Sequence, residues 1–287
     1  MNLLLVKEIK NLLQKHNAAP LKQLGQHFLI SKKVLDQLIE TANLSKKDTI
    51  IEIGSGVGTI TLELAKYAKK IIAVEKDKKF ISLIKHEFGH ELSQIELIYD
   101  DILKIDLEKS LATYHLTPKT YKVVSNLPYN IATAVIRKFL EAENPPKEMI
   151  LLLQKEVAQR IVASPPKMSI LSVAVQFYAE PKIISYVSKE AFWPVPKVES
   201  SILKISRIRT NLAQISRINE KLFFKVVRAG FAGKRKQLIN TLSRGLKIDR
   251  EKIKEILEKS GTDPKRRAET MSIQEWKKLV KKLDIKP

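Results

Sequence analysis

Val123-Val124-Ser125-Asn126-Leu127-Pro128-Tyr129 runs from an apolar stretch into an amide, a proline and an aromatic, and its reading decides the fold. The β-branched run predicts a buried strand, which Pro128 must end because proline has no N–H to give a ladder. Leu127, directly before the proline, is kept out of the helical region, so the direction of its carbonyl is restricted. Asn126 and Tyr129 are thereby held at the tip of a strand by a stiff turn. Two fixed oxygens, the Asn126 side-chain carbonyl and the Leu127 backbone carbonyl, suit an amino group on a planar ligand, with the Tyr129 ring stacked on the attached base. A strand ending in an ordinary proline turn fits these residues equally well, so the flanking segments decide.

Upstream, Thr49-Ile-Ile-Glu-Ile53 reads as a strand that turns through Gly54-Ser-Gly56-Val-Gly58 into a helix. Such a unit lets backbone approach a ligand at the edge of a parallel sheet. The spacing is G-x-G-x-G, one place short of a dinucleotide fingerprint, and no G-K-[ST] follows, which argues against both NAD and a phosphate-binding loop. A second strand, Lys70 to Glu75, ends in a carboxylate 21 residues after Gly54, placed to accept both hydroxyls of a ribose. A third, Ile95 to Tyr99, ends in Asp100-Asp101. Four successive strands therefore bring polar groups to one edge. A lone strand-end carboxylate is usually a helix cap, but four polar ends in order are not a coincidence.

Further out, residues 3–16 space their apolar positions as an amphipathic helix. Leu24-Gly-Gln-His-Phe-Leu29 reads as a loop before a helix capped at Ser31, and either closes over a ligand or merely connects. Downstream, Met149 to Leu153 reads as a strand, residues 169–178 as a crossover helix, and Lys182–Val187 and Ser201–Ser206 as the last strands. Between these lies the double-proline loop Ala191-Phe-Trp-Pro-Val-Pro-Lys-Val-Glu-Ser200. Phe192 there is either the second face of a base sandwich or a core plug. From about residue 210 the pattern is helical, which gives two domains, 1–209 and 210–287.

Composition narrows the partners. The 287 residues carry 52 Lys+Arg against 31 Asp+Glu, a net charge of +21, and no cysteine. Residues 210–287 hold 21 basic and 9 acidic side chains, or +12, so a polyanionic partner such as nucleic acid is expected for the C-terminal domain. The histidines at 16, 27, 86, 90 and 115 show no metal-ligand spacing, so no metal is expected. The apolar run at Leu3 to Val6 is too short for a signal peptide and nothing approaches a membrane span, so a cytoplasmic protein without membrane contact is expected.

Taken together these motifs resemble the ribosomal RNA adenine dimethyltransferases of the KsgA/RsmA type. The likeness runs through Leu24–Leu29, Glu52–Thr59, Val74-Glu75, Asp101-Ile-Leu103, Asn126–Tyr129, Gln154-Lys-Glu-Val157, Phe192–Ser200 and Phe231–Lys236. It implies an α/β, Rossmann-like class I methyltransferase fold, with a mostly parallel seven-stranded sheet, helices on both faces and a small all-α C-terminal domain. It implies S-adenosylmethionine as cofactor, bordered by His27 and Leu29, with Gly54 and Gly56 at the methionine part, Glu75 at the ribose and Asp101 at the adenine. Asn126 would touch both cofactor and substrate, with Leu127, Pro128, Tyr129 and Phe192 completing the catalytic set. Arg228, Lys234, Arg235 and Lys236 would grip RNA.

The implied reaction is dimethylation of two adjacent adenosines near the 3′ end of small-subunit rRNA, by a monomer acting on a ribosomal assembly intermediate. His27 stands where Asn is frequent in bacterial members, and Ser55 where Pro is frequent. The alternatives are a large-subunit rRNA methyltransferase of the macrolide-resistance type and a non-catalytic RNA-binding assembly factor.

Overall fold

The apolar runs form one seven-stranded sheet whose central strands are buried along nearly their whole length, so that they must be covered on both faces. The computed structural model describes residues 1–89, 93–209, 219–233 and 235–283. Its first part runs α1 (Val6–Lys15), β1 (Phe28–Leu29), α2 (Lys32–Ala42), β2 (Thr49–Ile53), α3 (Thr59–Tyr67), β3 (Lys70–Glu75), α4 (Lys78–Phe88) and β4 (Ile95–Tyr99). There follow α5 (Leu107–Thr113), β5 (Tyr121–Asn126), α6 (Ala132–Leu140), β6 (Met149–Gln154), α7 (Lys155–Ile161), α8 (Ile170–Tyr178), β7 (Glu180–Val187), β8 (Phe192–Trp193) and β9 (Ser200–Ser206). The last helices are α9 (Glu220–Gly230), α10 (Leu238–Leu246), α11 (Arg250–Lys259) and α12 (Ile273–Lys282).

The sheet order is β4-β3-β2-β5-β6-β9-β7, parallel except for β9, which runs antiparallel to both β6 and β7. All five residues from Met149 to Leu153 are fully buried, and each such side chain contributes roughly 1.5–3 kcal/mol. The chain winds outward from β2 to β4 and then returns to β5 on the other side of β2. Open α/β sheets bind ligands at that reversal, beyond the strand C-termini. Here the two strand ends are tied together, since Ser125 Oγ donates to the Ile53 carbonyl at 2.6 Å.

Two short strands fall where the sequence predicts loops. β1 and β8 pair antiparallel, Phe28 opposite Trp193 and Leu29 opposite Phe192. Two residues are too few to show a period, and their partners lie far away in sequence.

The chain divides into two compact units, residues 1–158 with 180–208, and residues 159–179 with 209–287. A single boundary near residue 210 therefore does not describe the packing. The helix predicted over 169–178 forms as α8, but it belongs with the C-terminal helices. Its Phe177 stacks at 4.3 Å on Phe223 of α9 and lies under the Lys277 ammonium of α12. In the same unit Trp276 is fully buried against Gly230, where a Cβ would come within 2.4 Å of the indole, so only glycine fits. Ser272 and Glu275 form a capping box that starts α12. Among the described residues, no helix is long and apolar enough to cross a membrane.

Candidate active site

One cleft at the C-terminal edge of the sheet is lined by Gly54, Gly56, Glu75, Asp101 and Asn126, together with His27, Leu29, Leu127, Pro128 and Tyr129. Phe192 is not among its walls. Its ring is fully buried in the core that contains Leu29 and Ile202, because β8 turns it away from the cleft.

The glycine turn after β2 is built for close approach. Gly54 and Gly56 have φ of +80° and +52°, and a Cβ on Gly56 would sit 3.1 Å from the Phe28 ring. The Gly56 N–H donates to Glu75 Oε2 and the Asp77 N–H to Oε1, both at 2.9 Å. Two backbone bonds hold that carboxylate in one orientation while leaving it lone pairs for hydroxyl donors. Burial pushes the Glu75 pKa up, against the lowering effect of the Asp77 and Gly56 amides. Asp101 Oδ2 pairs with Lys76 Nζ at 2.8 Å, and Oδ1 accepts from the Leu103 N–H at 3.0 Å. Lys76 is the main reason its pKa lies below the usual carboxylate range.

Asn126 is fixed by its own amide. Nδ2 donates to the His27 carbonyl at 2.8 Å, which leaves Oδ1 as the acceptor presented at the strand tip. His27 Nδ1 lies 2.6 Å from the Pro194 carbonyl. A carbonyl only accepts, so Nδ1 carries the proton. The same imidazole stacks on Tyr129 with centroids 5.5 Å apart, and Tyr129 Oη is 2.6 Å from the buried Ser200 Oγ. The loop 24–29, predicted either to close or to connect, thus forms one wall of the cleft.

Three contributors escape motif spacing. Ser200 closes the Phe192–Ser200 run and Lys76 follows Glu75, yet what each does, the Tyr129 bond and the Asp101 pair, is a tertiary contact. Glu52 sits inside the recognised Glu52–Thr59 run, yet its role depends on burial. It is 1% exposed, lines the cleft, and its Oε2 has no hydrogen-bond partner among the described residues. Burial pushes its pKa to about 8, a rise moderated by Thr61 and reinforced by the Glu75 charge. The Ser55 and Thr59 hydroxyls on the same walls are also buried without partners among the described residues. Buried polar atoms in this state suit a ligand that supplies cationic and polar groups.

In the second unit Arg228, Arg235 and Lys236 are exposed, whereas Lys234 lies outside the described residues.

A glycine turn after β2, carboxylates after β3 and β4, an amide-proline-aromatic tip on β5 and an antiparallel β9 define a Rossmann-like methyltransferase of the S-adenosylmethionine-dependent class. The chain belongs to the ribosomal RNA adenine dimethylase family, whose profile matches residues 19–283. It is 43% identical over 276 residues to ribosomal RNA small subunit methyltransferase A of Dehalococcoides mccartyi (strain CBDB1), covering 96% of this chain and 92% of the relative. A dimethyladenosine transferase from Plasmodium falciparum shares the fold, with a TM-score of 0.74 at 24% identity over 88% of this chain and 96% of that one. The 23S rRNA methyltransferase ErmE matches with a TM-score of 0.68 at 26% identity over 90% of this chain and all of that one. The protein is an rRNA adenine methyltransferase that uses S-adenosylmethionine as methyl donor.

Proposed function

We propose that this chain dimethylates N6 of two adjacent adenosines near the 3′ end of small-subunit rRNA, acting as a cytoplasmic monomer on a ribosomal assembly intermediate. The observation that supports this reading most is the fixed Asn126 amide, whose Nδ2 donates to the His27 carbonyl and whose Oδ1 is left as an acceptor for the substrate amine. When bound, S-adenosylmethionine supplies an electrophilic methyl group on sulfonium. Glu75 would hold its ribose, Asp101 its adenine, and Gly54, Gly56 and Glu52 its methionine part, with His27 and Leu29 on the flank. Glu52 fits an ammonium group for a physical reason, since an unpaired buried carboxylate is stabilised by a cation.

The adenine amine is a poor nucleophile because its lone pair is delocalised into the ring. Asn126 Oδ1 and the Leu127 carbonyl accept from its two N–H bonds, favour a tetrahedral nitrogen and stabilise the positive charge that develops there. Pro128 stiffens the turn that aims both oxygens. Tyr129, anchored by Ser200 and backed by His27, offers a stacking face worth about 1–3 kcal/mol to a base taken out of its stack. Phe192 supports the wall from within the core. Arg228, Lys234, Arg235 and Lys236 belong to the basic part of the chain and would bind phosphates.

The test is incubation with labelled S-adenosylmethionine and a mixture of unmethylated 30S particles and unmethylated large-subunit rRNA, followed by nuclease mapping of each RNA. Label in N6,N6-dimethyladenosine at two neighbouring 3′-terminal positions is the expected result. Label in large-subunit RNA alone would move the chain to the macrolide-resistance type. RNA binding without any label would leave an assembly factor.

A further inference from the structure

We propose that His16, His86 and Glu87 form a binding site for a divalent ion of the zinc class, remote from the methyltransfer cleft. The three ligand atoms lie within 4.8 Å of one another. His16 Nε2 is 2.6 Å and His86 Nδ1 3.0 Å from the same Glu87 Oε1, and the two rings meet edge to face at 5.1 Å. Two imidazoles and a carboxylate are a donor set that zinc, cobalt and nickel share. In a tetrahedral site with bonds of about 2.0–2.1 Å, neighbouring ligand atoms stand about 3.3 Å apart. Each imidazole nitrogen therefore needs to move away from the Glu87 oxygen by less than about 1 Å.

The surroundings favour a cation. His16 is the C-cap of α1 and His86 lies in the last turn of α4, so the negative ends of two helix dipoles converge here. Glu87 Oε1 already faces both imidazoles. Lys15 Nζ, 2.8 Å from the same oxygen, occupies part of the ion's place, but its side chain is 58% exposed and can swing into water. His16 and Glu87 are mostly buried while His86 is 67% exposed, which leaves a solvent face for access and for a water as fourth ligand.

An ion here pins α1 to α4. The two helices already share a core in which Ile9, Leu12 and Leu13 meet Phe80, Ile84 and Phe88, and Phe28 of the cleft wall belongs to the same cluster. Sequence spacing hides the site because its ligands come from two helices, and only His86 and Glu87 are adjacent.

Tag-free full-length protein, stripped with a chelator, is titrated with Zn²⁺ alone by calorimetry and with Co²⁺ alone by visible absorption. The proposal expects one saturable site, a Co²⁺ spectrum with strong tetrahedral or five-coordinate bands, and a thermal midpoint that rises with zinc. His86→Ala and Glu87→Gln should each weaken binding at least tenfold while circular dichroism stays unchanged. Because His86 is exposed, its loss does not threaten the fold. No saturable binding below about 100 µM, or binding that is the same in both variants, overturns the site and leaves a hydrogen-bonded cluster.

Discussion

Two ionisable side chains are buried in the same sheet, one near each end, and they are treated in opposite ways. Lys122, at the start of β5, is 3% exposed and fully engaged. Its ammonium donates to the Ala42 and Asn43 carbonyls at 2.9 Å and lies 3.3 Å from Glu148 and 3.6 Å from Asp48. Glu52, near the end of β2, is as deeply buried, yet one of its oxygens meets no donor among the described residues. A buried ionisable group with a complete set of partners holds the fold, and one left incomplete at a strand C-terminus fits a ligand that completes it. The contrast separates the end of the sheet that holds the fold from the end proposed for the chemistry.

The contrast breaks most visibly at Lys122. Lys122→Met removes the donor of two carbonyls and the cation facing Asp48 and Glu148, and should cost ~3 kcal/mol, the low end for a broken buried pair because Asp48 keeps the Ser45 N–H and hydroxyl and Glu148 keeps Lys204 at 2.9 Å. Chemical denaturation should register that loss, while affinity for S-adenosylmethionine in the folded fraction stays unchanged. A fall in affinity without a fall in stability would erase the distinction between the two ends.

Asn126→Ala works at the chemical end and should do the reverse. Removing one aimed oxygen should lower single-turnover methyl transfer by about 10²-fold. Little change in stability is expected, since Asn126 is only partly buried and its one described side-chain bond is to His27. Transfer within threefold of wild type would remove Asn126 from the reaction.

Glu52 gives a smaller effect with a definite sign. Its folded-state pKa of about 8 lies above the ordinary value of 4.5, so the folded protein holds a proton that the unfolded chain releases. The stability this confers is complete below pH 4.5 and is lost as pH rises toward 8, by a few kcal/mol in all. Glu52→Gln should flatten that part of the stability profile of the cofactor-stripped protein. Pairing with a cationic cofactor group should also expel the proton, so calorimetry in buffers of different ionisation enthalpy should find release near pH 7 in the wild type and none in the variant. Equal proton release by both would place the cation elsewhere.

How much of this the sequence carries depends on whether a signal is local. Strands β2 to β6 are legible because short runs dominated by Ile, Val and Leu end in turn residues, and the order of their polar ends points to one ligand-facing edge. β1 and β8 are not legible, since their pairing joins distant dipeptides and leaves no period. Phe192 shows the same limit. An aromatic beside two prolines fits a stacking platform or a core plug, and only its β8 pairing turns it inward. The boundary at residue 210 marks where the helical pattern becomes continuous, yet α8 joins the second unit through aromatic contacts that no spacing announces. Glu52 is visible as a residue of the motif, but its unsatisfied oxygen is a property of burial.

Exposed charges in the second unit form a third case, neither completed nor left wanting, because water solvates them. Arg228 and Arg235 stand in solvent, and removing such a side chain usually alters stability by no more than about 0.5 kcal/mol. Their effect should surface only against a polyanion. Taking away one phosphate-binding cation lowers the slope of log affinity against log salt by about 0.7–0.9, so Arg235→Gln should weaken rRNA binding a few-fold at low salt and hardly at all at high salt. If binding weakens equally at every salt concentration, Arg235 reads a base or shape and not a phosphate. If it does not weaken at all, the positive charge concentrated after residue 210 serves something other than this arginine's grip on RNA.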